Sequence, residues 1–117
     1  MFRFESLEIW KRAVEYGDAL YNIANHFPRE ETFTLADQLK RSAVSISNNI
    51  AEGSGCGTIK NFSSFLDISI RSALETVNIL NFAEKRNYIN RDKKQKLYSE
   101  AEVLIKKMRA FKNSLRQ

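Results

Sequence analysis

A chain of 117 residues and 13.6 kDa has room for one compact domain, residues 1–117, which excludes a multidomain enzyme. At 43% apolar and 28% charged residues it can bury a core, and its one Cys and one His exclude a disulfide or a Cys/His metal cluster. No apolar run reaches the roughly 20 residues of a membrane span, and the first thirty residues carry charges throughout, so a cytoplasmic protein without membrane association is expected.

Leu7, Trp10, Val14, Gly17, Tyr21 and Ala24 recur at helical steps and predict a first helix over about 5–27. Phe27-Pro28 ends it, because the residue before proline is pushed out of the helical region. Leu35, Leu39, Ala43, Ile46 and Ile50 predict a second helix over about 33–53, with Gly53 expected to take the left-handed terminal conformation. Thr58 is the N-cap candidate of a third helix to about 87, whose face is Phe62, Phe65, Leu66, Ser69, Ala73, Thr76, Leu80 and Ala83. Asn90 caps a fourth over about 91–115, where Leu97, Ala101, Leu104, Met108, Phe111 and Leu115 alternate in steps of four and three. With no period-two pattern and short connections, the expected fold is all-α, an antiparallel up-down-up-down four-helix bundle.

Two helices are apolar beyond one stripe: Ile9, Tyr16 and Ile23 on the first, Ile70, Leu74 and Val77 on the third. These fit either loose amphipathicity or a contact between subunits, since a large apolar patch on a soluble protein usually meets a partner.

Helix two also carries Gln38, Arg41, Ser45, Asn49 and Glu52 in a second stripe, and helix three carries Ser72 and Glu75 at the border of its apolar face. They are expected to form an interhelical polar network, with Arg41 facing Glu75, that fixes register. Reading Glu52 and Glu75, with Asp67, as a catalytic or metal-binding carboxylate set is weaker, because the Glu-x-x-His motifs of di-metal bundles are missing. His26 is expected at a helix C-terminus and Cys56 in a Gly-rich link with no activating neighbour. No catalytic residue, cofactor or metal is expected.

The charge is uneven. Residues 1–85 sum to −2, and residues 86–117 carry ten basic and three acidic groups, so the net +5 comes from the last segment, Arg116 included. Lys93, Lys94, Lys96, Lys106, Lys107, Arg109 and Lys112 spread around helix four. They either solvate its outside or attract a polyanion, nucleic acid in preference to membrane.

The run Gln38 to Gly53, QLKRSAVSISNNIAEG, resembles the four-helix-bundle proteins encoded in intervening sequences of bacterial 23S rRNA genes. The likeness extends over nearly the whole chain through Leu7-Glu8-Ile9-Trp10, Phe27-Pro28 with Glu31 and Phe33, and Arg71-Ser72-Ala73-Leu74-Glu75. Arg71 departs from it, standing where a small residue, often Gly, is expected, which bears on how closely helix three approaches its neighbour. The resemblance implies a homopentamer similar to the basic accessory protein of diversity-generating retroelements, which engages nucleic acid and a reverse transcriptase. Five subunits at +5 each would carry +25. The expected function is therefore a non-enzymatic, oligomeric protein that binds RNA or DNA with low sequence specificity through the helix-four cations. The alternative is a scaffold for a protein such as a polymerase, with no direct nucleic-acid role.

Overall fold

The computed structural model describes residues 1–115, leaving Arg116 outside the described residues. A 3₁₀ turn at Arg3–Ser6 leads into α1 (Glu8–Asn25), α2 (Leu35–Ser54), α3 (Ile59–Lys85) and α4 (Arg91–Ser114), with no strand among the described residues. Contacts run α1 to α2, α2 to α3, α3 to α4 and α4 back to α1, so the helices stand at the corners of a square. The resulting rod measures 45 × 24 × 22 Å.

Local chemistry sets the boundaries. The Thr58 hydroxyl accepts the Asn61 amide at 3.1 Å and the Asn90 side chain accepts the Lys93 amide at 2.8 Å, so both predicted N-caps satisfy a free donor of the first turn. At the end of α3, Tyr88 N–H donates to the Ala83 carbonyl at 2.8 Å and Asn87 N–H to that of Glu84 at 3.0 Å. This Schellman motif needs a left-handed residue, and Asn87 supplies it at φ 63°. His26 is the C-cap of α1, its Nδ1 2.7 Å from the Asn22 carbonyl.

The apolar ladders of α2, α3 and α4 form the core, with Leu39, Ile46, Ile50, Leu66, Leu80, Leu104 and Met108 fully buried. On α1 the stripe is different from the predicted one. Ile9, Ala13, Tyr16, Gly17, Leu20 and Ala24 face inward, and Val14 and Tyr21 are exposed. The helix is rotated by roughly 90° from the expected orientation, at about 100° of turn per residue. Gly17 and Ala24 are inward as expected and shared by both stripes, and α2 approaches closely at Gly17, where a Cβ would lie 3.4 Å from the Ala43 carbonyl oxygen.

Gly53 also departs from expectation. It is helical and has no positive φ, and α2 continues to Ser54. What requires glycine is the approach of α3, because a Cβ here would lie 2.8 Å from both Phe62 Cδ1 and Phe65 Cβ. The same seam is lined with serines. Ser69 Oγ donates to the Ile46 carbonyl at 2.8 Å, and the Ser45 and Ser72 hydroxyls meet at 2.8 Å. Arg71 does not hold α3 away, since it points outward while its neighbour Ser72 is buried against α2.

Candidate nucleic-acid interface

The seven candidate cations of α4 divide into two groups. Three are tied to carboxylates of neighbouring helices: Lys94 Nζ to Glu84 at 3.7 Å, Lys107 to Glu8 at 2.9 Å and Lys112 to Asp67 at 2.7 Å. Lys107 and Arg12 together hold the Glu8 carboxyl below its ordinary value, chiefly through the Lys107 hydrogen bond. These three cations fasten α4 to α1 and α3, although solvent screening keeps each partly exposed pair weak. Lys93, Lys96, Lys106 and Arg109 are exposed and, among the described residues, have no carboxylate within 4.0 Å.

The fold adds a cation from another helix. Arg71 of α3 and Arg109 and Lys112 of α4 line one shallow groove, and Lys106 and Arg109 line its continuation beside Leu74, Val103 and Ile105. Asp67, held by Lys112, and Glu102 are the acids of this groove. In the sequence Arg71 stands out only as a departure from the family pattern. The available signal was its place three residues before Leu74 on an outward face, but only tertiary packing puts it opposite Arg109.

The predicted polar network is smaller in the structure. Ser45 and Ser72 bond to each other, and Asn49 Nδ2 donates to the Ser45 carbonyl at 2.8 Å and to its hydroxyl at 3.0 Å. The Arg41–Glu75 pair is not formed. Arg41 bonds Asp37 at 2.8 Å one turn earlier on its own helix, and Glu75 points to solvent. An i,i+4 partner already aligned on the same helix costs less ordering than one across a solvated seam. Gln38 and Glu52 are exposed as well. The buried polar link that the sequence did not disclose is Tyr16 to Thr76, 2.9 Å between hydroxyls, joining the diagonal helices α1 and α3.

The predicted oligomer set also separates. Ile9, Tyr16 and Ile70 are buried inside the subunit and cannot face another copy, a correction that follows from the rotation of α1 and from the width of α3's buried face. Ile23 and Val77 are half-buried against the same core, and Leu74 remains 48% exposed. Val103 is also exposed beside the α3–α4 groove, and Val14, Tyr21 and Val44 are exposed along the α1–α2 groove.

At the end of the rod where α1 and α3 finish, the two connecting loops meet. Tyr88 Oη donates to Glu31 Oε2 at 2.9 Å, Thr34 Oγ1 donates to Glu31 Oε1 at 2.6 Å, and the Tyr88 ring packs on Phe27 at 5.6 Å. The Thr34 and Tyr88 hydroxyls hold the Glu31 carboxyl below its ordinary value. The Arg86 guanidinium lies 5.9 Å above the Tyr88 ring. Phe33, two residues from Glu31, is 91% exposed.

No helix of the described residues is long and apolar enough to cross a membrane, and no three His, Cys, Asp or Glu side chains among them are grouped to hold a metal. Residues 5–110 match the family model described as 23S rRNA-intervening sequence protein. The fold is similar to the crystal structure of a protein of unknown function from the S23 ribosomal protein family of Bacteroides thetaiotaomicron, with a TM-score of 0.82 and 21% identity over 93% of this chain and 99% of that one. No curated protein matches the chain.

Proposed function

Since the chain belongs to the 23S rRNA-intervening sequence protein family, we propose that it is a non-enzymatic accessory protein that binds nucleic acid, RNA above all, by its charge. The observation that carries this reading is Lys93 and Lys96, exposed α4 cations that neighbouring acids leave uncompensated and that lie away from the α3–α4 groove lined by Lys106 and Arg109. Such groups neutralise phosphates and release counterions, with no base-edge reading required. Sequence specificity is therefore low. The test is a filter-binding titration with RNA across a salt series. The expected result is affinity that falls steeply with salt and is reduced by the K93E/K96E double variant. Absence of any binding at low salt overturns the reading.

The protein acts in this reading as a homo-oligomer, with the pentamer implied by the family resemblance. Support comes from the placement of its exposed apolar residues. Val14, Tyr21 and Val44 lie on the α1–α2 face, and Leu74 and Val103 lie along the opposite α3–α4 groove. Two different faces suit head-to-tail contacts, which close into a ring where the rotation from one subunit to the next divides a full turn.

Leu74 and Val103 also favour a second reading, a scaffold for a polymerase-type protein, because an apolar floor matches nothing on a phosphate backbone. Pull-down from nuclease-treated lysate separates the two. A partner kept in high salt favours the scaffold, and complete loss favours the polyanion binder.

A further inference from the structure

We infer that the loop end of the bundle, which carries exposed Phe33 on one connection and the Tyr88–Arg86 pair and the start of α4 on the other, is a binding site for unpaired RNA. The inference rests on the nucleic-acid reading above and adds to it a place and a strand state.

Three observations converge on this end. The first is Phe33. An aromatic ring in water forgoes the free energy of burial, yet this one is 91% exposed while Phe27, at the same end, is buried. Among the described residues Phe33 makes no aromatic or cation contact. A second exposed ring, Phe82, lies on the last turn of α3 at the same end.

The second is charge. Residues 82–96 hold six basic groups, Lys85, Arg86, Arg91, Lys93, Lys94 and Lys96, against Glu84 and Asp92. Glu84 is engaged by Lys94. The facing loop brings Arg29, Glu30 and Glu31, and the Glu31 carboxylate already accepts two hydroxyl hydrogen bonds.

The third is rigidity. The Tyr88–Glu31 bond and the Schellman end of α3 fix the two loops against each other, so Phe33 and Arg86 are presented on a prepared surface.

Exposed rings at the same end of the bundle as these cations match a strand whose bases are free to stack while its phosphates are neutralised. A duplex offers the phosphates but keeps its bases stacked on one another, so it uses the cations and leaves Phe33 idle.

The test is fluorescence anisotropy of the full chain with two probes, an unstructured 20-nucleotide RNA and the blunt duplex of the same sequence. Single-stranded RNA is expected to bind at least five-fold more tightly at equal salt. Phe33→Ala is expected to weaken it by about 5–100-fold, the loss of one stacked base, with duplex affinity and melting temperature unchanged. Phe33→Trp is expected to restore binding, which separates stacking from a loop defect. Equal affinity for both probes, or single-strand binding indifferent to Phe33→Ala, overturns the site while leaving charge-driven binding intact. Failure of both probes to bind at low salt overturns the nucleic-acid reading and the site with it.

Discussion

Gly53 and Gly55, two residues apart, illustrate how little a residue type says without its surroundings. A methyl group on Gly53 would collide at 2.8 Å with Phe65 Cβ, an atom that cannot rotate away, whereas on Gly55 it would meet the Glu52 carbonyl at 3.6 Å, ordinary contact. Replacing a helical glycine by alanine gains up to about 1 kcal/mol of helix propensity, and overpacking a tight seam costs about 1–3 kcal/mol. Gly53→Ala is therefore expected to lower stability by about 1–2 kcal/mol, and Gly55→Ala to leave it unchanged or slightly raised. Urea denaturation of the two variants checks this, and equal midpoints would show that α3 shifts without cost.

Between elements, the Tyr16–Thr76 hydrogen bond crosses the core diagonally from α1 to α3. Burial pushes the Tyr16 phenol up to about 12, and the charge of Glu100 adds to the shift. An unfolded tyrosine ionises near pH 10 while the folded one keeps its proton, so above that pH the native state binds more protons and stability falls as pH rises. The loss spans pH 10 to about 12 and amounts to roughly 2–3 kcal/mol at 1.36 kcal/mol for each unit. Chemical denaturation between pH 9 and 12 is expected to show a shallower decline for Tyr16→Phe than for the parent chain. Identical slopes would mean that other groups govern alkaline unfolding. The same helix buries a face different from the one its periodicity predicts. Two apolar stripes of similar strength lie about a quarter-turn apart, and sequence periodicity ranks them equally.

For the whole molecule, head-to-tail assembly makes a prediction that a two-fold dimer does not share. Val44→Glu disables the α1–α2 face and Leu74→Glu the α3–α4 face, both at exposed positions where the subunit fold is retained. Each variant alone is expected to be monomeric by analytical ultracentrifugation. Mixed, they are expected to form a one-to-one dimer, because one live face of each kind remains. Dimers of either variant by itself would indicate contacts between like faces and sink the ring. Lys93 and Lys96 lie at least seven residues from Val103 along α4, roughly 10 Å or more, so assembly through the groove leaves the basic end open.

The amino-acid sequence by itself determined four helices, three of their buried faces, the caps at Thr58 and Asn90, and the concentration of charge in the last quarter. Each of these is set within one or two turns of chain by periodicity, a hydroxyl or amide at the right offset, or simple addition. Only the tertiary structure decided which stripe of α1 turns inward, that Gly53 serves packing instead of a turn, and which cations remain unpaired. It also placed Arg71 in the groove that Arg109 lines, and Phe33 at the same end of the bundle as Arg86. Those outcomes depend on groups distant in sequence competing for the same space or the same carboxylate, and local pattern carries no record of which competitor wins.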